Sequence, residues 1–217
     1  MMRFRAGAWV GILGPTLYVA TWAVAGALRP DYDPTRQAIS ELAEIGSATQ
    51  PWMTAAFLLF GLTAMPFAST LRRALPGDTR AVATTVVVCG LATMAAGLFP
   101  CTPGCPGPGS SPTDNGHAVA AIIGYLALMA APGSAGLLLL RADRTWRVFA
   151  LWSLAAAAIG SFLMLLWTLG AFGAAGGAGQ RGFNTLADVW WVTAGVVALR
   201  RGPTATAATL VPLTKSG

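Results

Sequence analysis

The stretch Ala118-Val-Ala-Ala-Ile-Ile-Gly-Tyr-Leu-Ala-Leu-Met-Ala-Ala-Pro-Gly-Ser-Ala-Gly-Leu-Leu-Leu-Leu140, closed off by Arg141, Arg144 and Arg147, decides the fold. It is apolar on every side and carries no charge, so as a helix it has no polar face to offer water. It is also long enough to cross a bilayer, which takes about 20 residues. Similar runs lie at roughly 8–28, 52–71, 81–99, 148–172 and 185–199. The sixth is the shortest, and extends either back to Phe183 or forward over Arg200 and Arg201, whose long stems can snorkel. The first resembles a signal peptide in its preceding Arg3 and Arg5, but it is long for such a segment and contains Pro15, so it is read as a span.

Composition agrees. Of 217 residues, 55% are hydrophobic and only 10% charged, and the mean hydropathy is +0.61. Soluble domains carry about 25% charged residues, so a soluble globular enzyme, a disordered chain and a coiled coil are excluded. Three cysteines exclude a disulfide-dense scaffold or a multi-zinc protein. The expected fold is all-α: a polytopic membrane bundle of six transmembrane helices over residues 1–201, followed by a loose cytoplasmic tail, 202–217.

The net charge of +6 does not point to nucleic acid, because the basic residues sit at the ends of the apolar runs. Arg3, Arg5, Arg72, Arg73, Arg80, Arg141, Arg144, Arg147, Arg200, Arg201 and Lys215 share one side. Arg29, Arg36 and Arg181 lie on the other. The positive-inside rule then places both termini in the cytoplasm of a bacterial cell.

The outer loops carry most of the polar chemistry. In Arg29–Gly46, Asp33 followed by Pro34 reads as a helix start and Gly46 as its stop. This predicts a short amphipathic helix in the first outer loop, with Ile39, Leu42 and Ile45 on one side and Arg36, Ser40 and Glu44 on another. It is either a solvated connector or an element that turns Asp33, Arg36, Ser40 or Glu41 into the bundle mouth. In the second outer loop, Cys101 and Cys105 favour a short disulfide in an oxidising compartment. A metal site from these two with Asp114 and His117 matches no strong zinc spacing, and none is assigned. Asp114 and His117 are three apart where the fourth span opens. A carboxylate there can hold one nitrogen of the only histidine and leave the other as a base; the alternative is a helix cap beside an interfacial histidine.

The third outer segment holds Arg181, Asn184 and Asp188. Asp188 is expected about one turn into the sixth span, where an acid is costly unless paired or wet. It is read either as the ion-pair partner of Arg181 or Arg29, or as a functional acid. Trp22, Trp167, Trp190 and Trp191 gather on the same side with Tyr32, Trp52, Phe99, Phe172 and Phe183. They form an aromatic belt or line a pocket for an apolar or cationic ligand. Adjacent Trp190 and Trp191 diverge by about 100°, so at most one faces such a pocket.

Gly11-Ile-Leu-Gly-Pro15, Tyr32-Asp33-Pro34 through Ile39-Ser40-Glu41-Leu42, Phe99-Pro-Cys101 with Gly104, His117 opening the fourth span and Gln180-Arg181 before the sixth together resemble the bacterial membrane family called domain of unknown function 998. The resemblance covers nearly the whole chain. It implies a compact six-span bundle and carries no assigned activity. The Gly179-Gln-Arg-Gly-Phe-Asn184 stretch is less apolar than that family's pattern after the arginine.

Two functions stay open. One is a membrane enzyme acting on a lipid or isoprenoid-like substrate, with Asp188, His117, Asp114, Glu41 and Asp33 as candidate acid–base residues and Arg36, Ser40, Arg181, Asn184 and the tryptophans as ligand-binding residues. A protonated carboxyl in an apolar site can protonate an alkene or epoxide, and aromatic faces can stabilise the resulting cation. Small membrane terpene cyclases follow such logic, an analogy of size and class; lipid-headgroup hydrolysis is equally open. No Gly-x-Ser-x-Gly, His-Glu-x-x-His or Asp-rich motif names a reaction, and no cofactor is implied. The other is a non-catalytic lipid or small-molecule binder, exporter component or accessory subunit. The two readings differ in geometry. Catalysis requires Asp188, His117 and one of Asp33, Glu41 or Asp114 in one cavity, whereas a binder has an apolar cavity and charges turned to water. Membrane lipids and an apolar small molecule are the expected partners.

Overall fold

The computed structural model describes residues 1–204. Six helices follow one another: α1 Met2–Leu28, α2 Gln50–Ala74, α3 Arg80–Leu98, α4 Pro112–Leu140, α5 Arg147–Thr168 and α6 Gly176–Arg201. Three short 3-10 turns, Ile39–Ala43, Arg144–Trp146 and Gly173–Ala175, interrupt the loops, and there is no strand among the described residues. All six helices are long and apolar enough to cross a membrane, and the chain is a multi-pass membrane protein.

Each helix packs on the next in the chain, and α6 closes the ring against α1. α6 also touches α2 and α4, so it leans toward the middle. Its side chains explain this position. Trp190 and Trp191 are both fully buried. The Trp191 ring packs 4.9 Å from Phe60 and 5.2 Å from Phe67. Trp190 stacks on Phe149, and its indole N–H donates to Ser153 Oγ at 2.9 Å. Leu13, Leu59, Leu126 and Phe162 are exposed. Large apolar side chains facing outward are what a lipid solvent tolerates.

Successive helices alternate in direction, which gathers Arg3, Arg5, Arg72, Arg73, Arg80, Arg141, Arg144, Arg147, Arg200 and Arg201 at one end, the arginine end. The long loops 29–49 and 99–111 and the turn before α6 lie at the other, the loop end. The start of α4 is capped there by Ser111, whose Oγ accepts from the Asp114 N–H.

The sixth helix begins at Gly176, not 185. Its glycine-rich first turns are held by the first loop: Arg36 O accepts from Gly177 N at 3.1 Å, and Thr35 O from Ala178 N at 2.9 Å. A Cβ on Gly177 would stand 2.7 Å from Pro34 O, so only glycine lets the loop backbone lie this close. Asp188 is consequently about three turns inside α6 rather than one, and Trp190 and Trp191 sit mid-span instead of in an outer belt.

The short helix expected in the first outer loop is present but shorter than its Asp-Pro start and Gly stop suggest: after a turn over Asp33–Gln37 the loop forms the five-residue 3-10 turn Ile39–Ala43, with Ile39 and Leu42 on its buried side. The carbonyls of residues 34–37, which a helix would use internally, are spent on α6 and Arg181 instead. Ile39 and Leu42 plug the loop end of the bundle, while Ile45 is exposed. At the chain's other end, Thr204 N donates to Arg73 O. Residues 205–217 of the expected tail, Lys215 included, lie outside the described residues.

Candidate functional site

A cavity of about 60 Å³ lies inside the loop end, between α1, α2, α3, α4 and α6, beneath the Ile39–Ala43 turn. It has room for a few waters. Its walls are largely apolar: Phe57 and Phe60 from α2, Ala92 and Ala96 from α3, and Ala120, Gly124 and Leu128 from α4. Into this lining project Tyr18, Ser40, Thr93, His117, Tyr125, Asn184 and Asp188.

α6 supplies the deepest polar groups. Gln180, Asn184 and Asp188 recur every four residues, so they share one face, and all three are buried. Gln180 ties the site together. Its side-chain oxygen accepts from the Ile39 N–H at 2.6 Å and its amide donates to the Tyr125 hydroxyl at 2.7 Å. This seats the loop turn on α6 and α4. Asn184 spends an amide hydrogen on Gln180 O at 2.9 Å. Asp188 is only 5% exposed, its Oδ2 has no hydrogen-bond partner, and among the described residues it forms no ion pair. A buried, unpartnered carboxyl oxygen is a costly arrangement that packing alone does not require.

His117 stands on the first turns of α4. Its Nδ1 lies 3.1 Å from Ala96 O and 2.9 Å from Phe99 O. Both are carbonyls, which only accept, so Nδ1 carries the hydrogen and Nε2 of the neutral ring is left as a proton acceptor. The C-terminal carbonyls of α3 thus do the orienting expected of Asp114. The Asp114 carboxylate instead accepts from Thr102 N and Thr102 Oγ, both at 2.8 Å, and from Ser111 Oγ at 2.6 Å, pinning the second loop to the start of α4.

The other expected residues brace the loops. Arg29 pairs with Glu44 at 2.6 Å rather than with Asp188, and Glu44 also accepts from Gly104 N at 2.6 Å, joining the two long loops. The same arginine holds exposed Asp31, and that ion pair lowers the Asp31 pKa and raises that of Arg29. Glu41 accepts from Ala38 N and from the Gln37 amide. Asp33 accepts from Thr35 N, and its side chain and that of Arg36 stay exposed. Asp33, Glu41 and Asp114 therefore do not join Asp188 and His117, and no ion pair links Asp188 to Arg181 or Arg29. Among the described residues no cluster of three or more His, Cys, Asp or Glu side chains is placed to hold a metal.

Arg181 clamps the first loop. Its Nη1 donates to Pro34 O at 2.7 Å, Gln37 O at 2.8 Å and Gly177 O at 3.0 Å, and its Nη2 donates to the Tyr32 hydroxyl. The guanidinium sits 5.3 Å from the Trp22 ring centre and 5.4 Å from that of Tyr32. Burial raises the Tyr32 pKa against the lowering effect of this arginine. Trp167 packs on Tyr125 and Phe183. None of Trp22, Trp167, Trp190 and Trp191 lines the cavity; Tyr18, Phe57, Phe60 and Tyr125 do. Cys101 and Cys105 lie close, their Cα atoms 5.0 Å apart, within disulfide range.

Residues 12–209 match the family described as Protein of unknown function (DUF998). The chain belongs to this family. No curated protein and no solved structure matches it. Of the residues that stand out in this DUF998 sequence, Asp188, His117, Ser40 and Asn184 line the cavity; Tyr18, Tyr125 and Thr93 line it without such a signal, and Gln180 braces it from beside through Ile39 and Tyr125. The four-residue spacing of Gln180, Asn184 and Asp188 was the available signal for Gln180. Nothing local marks the tyrosines, which read as ordinary aromatic packing.

Proposed function

We propose that this DUF998 protein is a membrane enzyme that moves protons on an apolar, lipid or isoprenoid-like substrate, with Asp188 as the acid and His117 as the base. The third carboxylate expected of an enzyme site does not reach the cavity, since Asp33, Glu41 and Asp114 brace the loops, and the observation carrying this reading is the unpartnered buried oxygen of Asp188 on the wall of a cavity that also holds the histidine. A carboxyl with no cation or donor against it is best accommodated as the neutral acid, which is the form that donates a proton. Asp188 gives its proton to an alkene carbon or an epoxide oxygen, and positive charge develops on the neighbouring carbon. The rings of Tyr18, Phe57, Phe60 and Tyr125 face that charge. His117 Nε2 then removes a proton from an adjacent carbon, whose C–H electron pair forms the new double bond. The product is an isomer of the substrate, and solvent exchange returns the proton from histidine to aspartate.

In this account the arginine end faces the cytoplasm of a bacterium, with both termini inside, and the cavity sits at the outer side. Cys101 and Cys105 are joined there as a disulfide that stiffens the second loop. Asn184 and Ser40 orient the substrate, whereas Arg36, Arg181, Trp22, Trp167, Trp190 and Trp191 act on the scaffold. A second reading, a non-catalytic binder of a small neutral molecule, is favoured by the modest volume of the cavity.

Untargeted lipid and metabolite profiling of membranes carrying wild-type protein, Asp188→Asn or His117→Ala separates the two readings. Catalysis predicts a species that changes with the wild type and with neither variant. Three matching profiles from equally abundant proteins would overturn it and leave the binder.

A further inference from the structure

The seam between α3 and α4 is a second place where chemistry and packing coincide. On its outer side runs an apolar groove of about 550 Å³, walled by exposed Leu91, Val119, Ile123 and Phe99. On its inner side is the cavity of Asp188 and His117. Ala92 and Ala120 line both. These two methyl-bearing residues are shared by both linings, and the helices approach closely beside them: a Cβ on Gly124 would meet the Ala92 methyl at 3.5 Å. The groove between α1 and α2 also reaches the cavity wall, but there the whole ring of Tyr18 forms the partition. The aqueous side is closed by the Ile39–Ala43 turn, which Gln180, Arg181 and the two loops hold down by hydrogen bonds.

We propose that the α3/α4 seam is a lateral portal through which a single hydrocarbon chain, such as an isoprenoid, passes from the bilayer to the cavity, with Ala92 and Ala120 as its gate. This rests on the reading of Asp188 and His117 as the site. The unpartnered Asp188 oxygen gives the path a chemical destination, and the apolar groove gives it an occupant. In a bilayer the groove is filled by chains, and parting the helices at the Ala92 and Ala120 methyls strains only the His117 Nδ1 hydrogen bond to Ala96 O and Phe99 O one turn away, whereas lifting the loop turn breaks several. A single chain fits such a gap where a two-chain phospholipid does not.

Cys89 lines the cavity behind the gate and is the free cysteine of the described residues, so its labelling reads the path without reference to the Asp188 proton. The test uses protein in phosphatidylcholine–phosphatidylglycerol liposomes, with apolar phenylmercuric acetate against the charged p-chloromercuribenzenesulfonate. The portal predicts that the apolar reagent labels Cys89 the faster by far, and that Ala92→Leu and Ala120→Leu each slow it about tenfold by over-packing the seam. Excess farnesol, the single-chain probe, slows it in the wild type. A variant that misfolds exposes Cys89 and labels faster, so slowing has one meaning. Equal labelling by both reagents, seam variants as fast as wild type, or no protection by farnesol overturns the portal. If the portal pattern holds while Asp188→Asn leaves the membrane profile unchanged, the acid–base reading fails and the portal stands.

Discussion

Replacing Asp188 by valine should make the protein more stable. The two side chains are nearly the same size and have similar helix propensities, so the change removes polarity and little else. In the wild type, Asp188 Oδ2 is buried without a partner. Burying a polar group without a hydrogen bond costs about 1–3 kcal/mol in protein mutational series. Asp188→Val recovers that cost, and the adjoining cavity of about 60 Å³ absorbs any misfit of the branched side chain. Thermal unfolding followed by circular dichroism in a mild detergent reads the effect, at about 2–4 °C per kcal/mol for a chain of this size. The midpoint should rise by a few degrees. Asp188→Asn should gain less, because an amide still buries polar atoms. Were Asp188 half of a buried ion pair, removing it would cost about 3–5 kcal/mol. A midpoint lowered by that much would show that Asp188 is paired in the folded protein.

Arg181→Ala removes donors to Pro34, Gln37 and Tyr32 and two aromatic contacts. It should cost about 2–4 kcal/mol and expose residues 33–37 to limited proteolysis, with Arg181→Lys restoring little of the forked geometry. Gln180→Leu leaves the Ile39 N–H and the Tyr125 hydroxyl without their partner. A loss of about 2–4 kcal/mol is expected, read as a lower unfolding midpoint. Asp143, outside the spans, has its pKa lowered by the Thr145 side chain and backbone N–H. A lowered carboxylate pKa contributes stability above the unfolded value of about 3.9, and loses it as pH falls through the folded value. The unfolding midpoint should therefore drop below about pH 4, and less steeply in Asp143→Asn.

The six spans were legible because each is an unbroken apolar run, and lipid leaves the backbone no alternative to a helix. The ends of the runs were less so. Gly176–Gly182 looks like a loop, and becomes helix because carbonyls from residues 34–37, far away in sequence, cap and cover it. The same exchange shortens the helix expected after Asp33, since those carbonyls have left it. Asp188 and His117 stood out as an acid inside a span and a lone imidazole at the mouth of another. Their joint presence on one cavity depends on α6 leaning inward, which no local pattern encodes. Asp114 illustrates the converse. Its spacing to His117 suits a pair, but Thr102 and Ser111 supply its carboxylate with three donors instead.

The proposed chemistry depends on Asp188 waiting in its cavity as a neutral acid. Infrared spectroscopy of the protein in lipid at neutral pH tests this without a substrate. A neutral Asp188 gives the carbonyl band of a protonated carboxylic acid in the wild type and in His117→Ala, and the band is lost in Asp188→Asn. A wild-type spectrum that matches Asp188→Asn in this region, with the Asp188 signal among the ionised carboxylates, would contradict it.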